Sequence, residues 1–95
     1  MTQHLMNTYS RQPVTFTRGE GVWLWDESGK RYLDALAGVA VNGLGHAHPD
    51  LVAAIAEQAG RLIHVSNIYG IAEQAKLADK LCGLSGMQRA FFCNS

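Results

Sequence analysis

Apolar and polar residues alternate through the first third of the chain, and this alternation predicts short strands. Trp23 and Trp25 fall on the face opposite the other apolar side chains, so apolar residues occupy both faces. Such a strand is either covered on both sides or covered on one side and bound to a partner on the other. The residues that share the first face, at steps of two within each strand, are Val14, Phe16, Val22, Leu24 and Asp26.

Two turns divide these strands. Arg18–Gly21 is predicted to bend the chain between the first two. Asp26–Lys30 predicts a type I turn in which Gly29 adopts the left-handed region, and Arg31–Asp34 then returns as the second arm of a hairpin. The segment is therefore predicted to be a β-meander.

The stretch Ala35–Gly45 is small and rich in glycine. It is too apolar for a solvated linker and too often interrupted by glycine for a regular helix. Two interpretations remain: a backbone that passes close to a ligand or another chain, and a buried crossover packed under a helix. The residues by themselves favour the second.

Apolar residues at helical spacing predict two helices further along the chain. The first begins at Pro49 after a cap at His48 and runs to about Arg61; the second covers Ile71–Leu81 and ends at a left-handed Gly83. Between them Leu62–Gly70 is predicted to be irregular. His46 and His48, one residue apart, could chelate a metal. No third ligand lies at a spacing typical of a metal site, so we expect none.

The last seven residues predict a buried strand from Arg89, followed by a polar turn at Asn94 and Ser95. Asn and Ser are favoured where a helix begins, and a strand, a turn and a helix N-terminus together suit a bound phosphate. The strand and the turn are present here and the helix is not, so we expect the chain to be the front of a longer protein.

Composition adds limits. The chain has 95 residues, 47% hydrophobic and 17% charged, with eight basic and eight acidic side chains. A globular chain without net charge has no global field to recruit nucleic acid or an anionic membrane. No apolar run is long enough to span a bilayer, and no signal pattern opens the chain. Cys82 and Cys93 predict two buried, reduced thiols and a cytoplasmic protein.

Several motifs, in this order, resemble the N-terminal signature of class III aminotransferases. The resemblance covers nearly the whole chain. Within the class, the run Gly38–His46 is most similar to acetylornithine aminotransferases. The motifs are Arg18–Gly21 through Leu24–Asp26, Gly29–Asp34, Gly45–Pro49 and Phe91–Ser95.

This resemblance implies the fold type I architecture of pyridoxal-phosphate transferases, an α/β class that begins with an α+β segment. Residues 1–64 correspond to the N-terminal part of the small domain, with the β-meander. Residues 65–95 correspond to the beginning of the large pyridoxal-phosphate-binding domain and its first strand. The family is usually dimeric and cytosolic, and its acetylornithine members act in arginine biosynthesis with 2-oxoglutarate as the acceptor.

The resemblance also implies site residues. Ser95 matches the first member of the turn that holds the cofactor phosphate, with Asn94 before it. Tyr9 matches a tyrosine that ornithine aminotransferases place against the substrate. Val39 falls where those enzymes carry a tyrosine, and its smaller side chain leaves room for an acylated amine. The Ser66–Gly70 loop corresponds to one that lies near the partner's active site in the family dimer.

The family's catalytic lysine corresponds to a position downstream of Ser95. Lys30 lies in a predicted turn, and Lys76 and Lys80 lie on the exposed side of a predicted helix, so no catalytic residue is assigned here. We expect the 95 residues alone not to transaminate. Ornithine, succinylornithine and 4-aminobutyrate aminotransferases remain competing interpretations. An alternative of another class is a small, non-catalytic α+β binding or interaction domain.

Overall fold

The computed structural model describes residues 3–94. The described chain divides between Ala59 and Gly60 into two compact units. The first unit contains the strands β1, β2 and β3, a short turn α1 and the helix α2, and the second contains the helix α3. Their bounds are β1 Phe16–Glu20, β2 Trp23–Asp26, β3 Arg31–Leu33, α1 Ala37–Ala40, α2 Pro49–Ala59 and α3 Ala72–Ser85.

The three strands form one antiparallel sheet in the order β1-β2-β3, which confirms the predicted meander. The bend predicted at Arg18–Gly21 is wrong in its extent. Strand β1 continues through Glu20, and Glu20 pairs with Trp23, so the reversal occupies only Gly21 and Val22. Gly21 makes this tight reversal possible because its φ of 57° lies in the left-handed region.

The hairpin turn between β2 and β3 is confirmed, with Gly29 at a φ of 85°. The carboxylate of Asp26 closes it. Its Oδ1 accepts hydrogen bonds from the backbone N–H groups of Ser28 and Lys30, at 2.9 and 3.0 Å. The same oxygen accepts the Ser28 hydroxyl at 2.7 Å, and Oδ2 accepts the Tyr32 hydroxyl at 3.0 Å. The turn is thus held from inside by one side chain.

A bulge in β1 changes which face its side chains occupy. Phe16 pairs with Asp26, but Arg18 pairs with Trp25, so the register shifts at Thr17. An extra residue in one strand moves the following side chains to the opposite face. The guanidinium of Arg18 accordingly lies 3.5 Å from the centre of the Trp25 ring, on the tryptophan face.

The two predicted faces of β2 are confirmed by the contacts on each. On one, the ring of Phe16 meets that of Tyr32 edge-on, with centres 5.3 Å apart. On the other, Arg31 lies over Trp23 at 4.2 Å, as Arg18 lies over Trp25. Arginine planes therefore cover the tryptophan face.

Both long helices are present, with shifted ends. Helix α2 begins at Pro49 as predicted but ends at Ala59 rather than Arg61. Helix α3 passes through Gly83, where the predicted stop is wrong, and ends at Gly86 with a φ of 73°. A single glycine inside a helix is tolerated at a cost of about 1 kcal/mol, so the left-handed cap falls at the later glycine.

The final strand predicted from Arg89 is not formed in the described residues, which continue to Asn94 without helix or strand. A strand exists only where its backbone groups pair with a neighbour, and an apolar sequence alone cannot supply that neighbour. The irregular connection predicted over Leu62–Gly70 is confirmed.

Within residues 3–94 no hydrophobic side chain is fully buried. Phe91 is 89% exposed and Ile63 is 85% exposed. The prediction of two buried thiols is wrong, because Cys82 is half-buried and Cys93 is exposed. No helix in the described part of the chain has both the length and the apolar character that a membrane crossing requires.

Candidate functional site

His46 joins the end of the glycine-rich stretch to the sheet. Its backbone N–H donates to the carbonyl oxygen of Gly21 at 2.8 Å, and its carbonyl accepts the Gly21 N–H at 2.9 Å. These two bonds form an isolated antiparallel bridge across 25 residues of chain (46 − 21). This pairing was not predictable from the sequence, because the two residues are far apart and neither lies in an apolar run.

Two glycines make the approach of His46 possible. A Cβ on Gly19 would lie 2.7 Å from the Cβ and Cγ of His46. A Cβ on Gly45 would lie 2.8 Å from the carbonyl oxygen of Gly21. Real Cβ atoms do not reach such distances, so the imidazole and the bridge occupy space that only glycine leaves open.

Asp34 connects His46 to the glycine-rich stretch. Its Oδ1 accepts the backbone N–H groups of Leu36 at 3.0 Å and Ala37 at 2.9 Å. Its Oδ2 lies 2.5 Å from Nε2 of His46, and the two side chains are only 10% and 20% exposed. The sequence placed Asp34 simply at the end of a hairpin arm and did not identify this pair.

These hydrogen bonds act on the acidity of Asp34. The backbone N–H of Ala37, and then the His46 side chain, hold the pKa of the Asp34 carboxyl below its usual value because both stabilise the carboxylate. Partial burial opposes this effect. Asp34 is therefore a carboxylate that serves as an acceptor at neutral pH.

The segment that Asp34 caps is a left-handed turn. All four residues of α1 have positive φ angles: 55° at Ala37, 64° at Gly38, 58° at Val39 and 64° at Ala40. For residues with a Cβ, the left-handed helix costs roughly 1–2 kcal/mol each, and a β-branched residue there is an outlier. Strain of this kind persists only where the surroundings enforce it, and it is common at functional sites.

Val39, predicted to contact the substrate, lies in the middle of this turn. Its φ and ψ are 58° and 54°, and its side chain is 78% exposed. The left-handed backbone therefore presents Val39 to the outside. A regular helix is absent from the glycine-rich stretch, as the sequence indicated, but the strained geometry was not foreseeable from residues of small size.

Tyr9, the other predicted substrate contact, lies in the irregular N-terminal segment and is 71% exposed. The guanidinium of Arg11 lies 5.3 Å from the centre of its ring. The structure thus places Tyr9 beside a cation and Val39 on a separate strained turn. Their common role against a substrate stays a prediction.

Of the two residues predicted to hold a phosphate, Asn94 is described and exposed, whereas Ser95 lies outside the described residues. The carboxamide of Asn94 can donate a hydrogen bond to a phosphate oxygen. The donor set of the described residues is therefore compatible with a phosphate at this end of the second unit, with Asn94 as its one candidate side chain.

The second unit contains an open hollow of about 310 Å³. Its wall includes the loop predicted to be functional, where the Ser66 hydroxyl accepts the Ile68 N–H at 3.3 Å and Gln74 donates to Asn67 at 3.3 Å. The residues that line it are Asn67, Gln74, Ala75, Ala78, Ala90, Phe91 and Phe92. The lining therefore combines two polar side chains with the apolar residues that precede Asn94 in the chain.

His48, Lys76 and Lys30 make contacts that stabilise local structure. His48 accepts the Asp50 N–H on its Nδ1 at 3.2 Å, which confirms it as the cap of α2. Lys76 pairs with Glu73 at 2.8 Å on the exposed side of α3, and Lys30 lies 5.0 Å from the centre of the Tyr32 ring. Within residues 3–94 no group of three His, Cys, Asp or Glu side chains is arranged to hold a metal ion.

Known proteins resemble this chain closely. It is 64% identical to acetylornithine aminotransferase of Nitrosomonas europaea over 92 residues, which is 97% of this chain and 23% of the relative. The crystal structure of N-acetylornithine aminotransferase from Stenotrophomonas maltophilia matches with a TM-score of 0.84 and 46% identity, over 92% of this chain and 24% of that one.

A taurine:2-oxoglutarate aminotransferase from Bifidobacterium kashiwanohense, solved in complex with PLP and glutamate, matches with a TM-score of 0.87 and 30% identity. The match extends over 97% of this chain and 22% of the taurine aminotransferase chain. The chain thus spans about a quarter of the length of the curated relatives it matches. The profile of the Aminotransferase class-III family matches residues 5–95, and the chain belongs to that family.

Proposed function

We propose that these residues are the N-terminal portion of a pyridoxal-phosphate-dependent aminotransferase that transfers the amino group of N-acetylornithine to 2-oxoglutarate, a step of arginine biosynthesis. The observation that carries the proposal is the 64% identity to an acetylornithine aminotransferase over almost the whole chain. Transfer of the activity to the protein that contains these residues is our inference from that similarity.

Pyridoxal phosphate supplies the electron sink of transamination, and the protein binds and orients it. In this proposal Asn94 and Ser95 lie at the cofactor phosphate, as the family resemblance implies. The exposure of Asn94 and the carboxamide it can offer support this assignment. The hollow lined by Phe91 and Phe92 lies in the same unit as Asn94.

Val39 and Tyr9 are proposed to bind the amino donor. Val39 is small and exposed at the strained turn, which suits a donor with an acyl group on its distal nitrogen. A tyrosine at this position would fill that space, and ornithine, whose distal amine is free, would then be the better substrate. Succinylornithine and 4-aminobutyrate remain the other candidate donors.

The organisation proposed for the protein follows the family. Residues 1–64 belong to the small domain and residues 65–95 begin the large domain. We propose a cytoplasmic homodimer in which the Ser66–Gly70 loop lies near the partner's active site. The exposure of Ile68 and Tyr69, at 81% and 66%, supports a loop that contacts another surface. An independent binding domain is not favoured by any contact described above.

The test is steady-state kinetics on the complete protein, purified with its cofactor. With 2-oxoglutarate as the acceptor, kcat/KM is measured for N-acetylornithine, ornithine, N-succinylornithine and 4-aminobutyrate. We expect N-acetylornithine to give the largest value. A larger value for any other donor rejects the proposed substrate, and no transfer from any of the four rejects the proposed function.

The specificity role of Val39 is tested by Val39→Tyr. Filling the space of an acyl group is expected to lower the ratio of kcat/KM for N-acetylornithine over ornithine by about tenfold or more, since even one methylene is worth about 10–200-fold. Val41→Tyr is the matched control, because Val41 is equally exposed but lies just beyond the left-handed turn. An unchanged ratio in Val39→Tyr removes Val39 from the specificity site.

A further inference from the structure

Asp34 lies where three parts of the first unit meet. Its backbone N–H donates to the Val22 carbonyl at 2.8 Å, which ties it to the sheet. One carboxylate oxygen accepts the N–H groups that enter the left-handed turn, and the other contacts His46. A single side chain thus connects the rigid sheet, the strained turn and the histidine.

Ala37 transmits this connection into the turn. Its N–H donates to Asp34 at 2.9 Å, and its carbonyl accepts the N–H groups of both Val41 and Asn42, the latter at 3.0 Å. Ala37 is therefore held at both ends, and Val39 lies inside the loop that these bonds close. Removing the Asp34 carboxylate removes a side-chain contact at the start of a turn whose left-handed conformation costs free energy to adopt.

His46 fixes the direction of that carboxylate. The imidazole rests against Gly19, its backbone is bridged to Gly21, and its Nε2 meets Oδ2 of Asp34. With Oδ2 held there, Oδ1 faces the N–H groups of Leu36 and Ala37. The side chain of His46 therefore acts on the turn through Asp34.

We propose that Asp34, oriented by His46, is a positioning residue for amino-donor selectivity: it holds the left-handed turn that places Val39 against the donor. The inference rests on the proposed function, because it assigns Val39 to the donor site. It adds a cause for the position of Val39, namely that Asp34 and His46 act through the backbone of the left-handed turn. A shift of such a group by about 1 Å can change a rate by about a hundredfold.

The structure contains a matched control. Asp26 also accepts two backbone N–H groups on Oδ1, from Ser28 and Lys30, and one side-chain donor on Oδ2, from Tyr32. Like Asp34, it accepts two backbone N–H groups on one oxygen and a side-chain contact on the other, with the Ser28 hydroxyl as one further donor to Oδ1. It closes the β2–β3 turn rather than the turn with Val39. A general loss of stability affects both aspartate variants, whereas a loss of positioning affects only Asp34.

The experiment compares Asp34→Ala, Asp34→Asn and Asp26→Ala in the complete protein. The first readout is the ratio of kcat/KM for N-acetylornithine over ornithine. The second is amide hydrogen exchange at Val41 and Asn42, which reports whether the turn is held and does not depend on activity. Asp34→Asn keeps an oxygen that can accept the Leu36 and Ala37 N–H groups.

We expect Asp34→Ala to change the kcat/KM ratio by about tenfold or more and to speed exchange at Val41 and Asn42. Asp34→Asn should recover most of both, and Asp26→Ala should leave both at the wild-type values. An unchanged ratio in Asp34→Ala, or an equal change in Asp26→Ala, overturns the proposal. If the complete protein uses neither donor, the proposed function fails, while the exchange measurement still decides whether Asp34 holds the turn.

Discussion

Gly45 lies against the backbone of Gly21, so close that a Cβ on Gly45 would stand 2.8 Å from the Gly21 carbonyl oxygen. The obstructing atom is backbone and cannot rotate away. Gly45→Ala is therefore expected to break the bridge between Gly21 and His46. The free energy of opening should fall by about 1–3 kcal/mol from overpacking, in addition to the strain at a φ of 78°. Amide hydrogen exchange at Gly21 and His46 in the complete protein measures this free energy of opening.

Gly21→Ala is the control for that substitution. Gly21 also has a positive φ, 57°, but a Cβ on it would meet nothing within 4 Å. Only conformational strain of about 1–2 kcal/mol is expected. Equal effects of Gly45→Ala and Gly21→Ala would show that contact with the Gly21 carbonyl is not what requires glycine at position 45.

Asp26 is expected to lose its role in acid. Its pKa lies below the usual value, first because the Ser28 hydroxyl donates to the carboxylate, and then because Lys30, Tyr32 and the Ser28 N–H do so. Since the folded pKa is the lower one, the stabilisation is present above the unfolded pKa of about 3.9 and is lost as the pH falls through the folded value. The Lys30 N–H donates to this carboxylate, so its protection from hydrogen exchange, relative to the intrinsic rate at each pH, should fall across that window.

Ser28→Ala removes the largest cause of the lowered pKa. Carbon NMR of labelled Asp26 should then show a pKa closer to the ordinary value. Thr17→Val is the matched control, because the Thr17 hydroxyl lies 3.5 Å from the backbone carbonyls of Trp25 and Asp26 and does not touch the carboxylate. The interpretation fails if Thr17→Val shifts the pKa as much as Ser28→Ala does.

Helix α3 contains two glycines with opposite expected effects. Gly86 ends the helix at a φ of 73°, and its N–H donates to the Cys82 carbonyl at 3.0 Å, so Gly86→Ala should destabilise the last turn by about 1–2 kcal/mol. Gly83 lies inside the helix, with nothing within 4 Å of an added Cβ. Gly83→Ala should stabilise the same turn by about 1 kcal/mol. Hydrogen exchange of the amide at position 86 measures the effect of each substitution. A change of the same sign in the two variants would contradict the described helix end.

The contact between Arg18 and Trp25 is expected to contribute a small, measurable coupling. The guanidinium lies 3.5 Å from the centre of the ring, and at an exposed site such a pair is worth about 0.5–1 kcal/mol. A double-mutant cycle with Arg18→Met and Trp25→Leu, measured by hydrogen exchange in β2, gives the coupling. Glu20→Gln tests the neighbouring 3.5 Å ion pair, whose exposed charges should contribute less and decline with salt.

Much of the local structure was predictable because it depends on neighbours in the chain. The turn at Asp26–Lys30 follows from the short acceptor side chain of Asp26 and a glycine three residues later. The cap at His48 follows from the proline that comes directly after it in the sequence. The exact ends of α2 and α3 were not predictable, since several residues, among them Gly83 and Gly86, can end a helix and packing selects between them.

The candidate site was predictable only in part. Tyr9, Val39, Asn94 and Ser95 came from family resemblance, and their roles remain proposals. The pairing of Asp34 with His46, twelve residues apart, had no local signal. Side chains so far apart meet only when the sheet and the glycine-rich stretch are folded together.

The sequence by itself determined the β-meander, the two helices and the family, because alternation, helical spacing and turn residues act over a few positions and motifs survive in their order. Only the tertiary structure decided the left-handed turn at Val39 and the lack of a strand between Arg89 and Asn94, the last described residue. A positive φ on a β-branched residue requires external bonds to hold it, and a strand requires a partner, so both depend on residues distant in the chain.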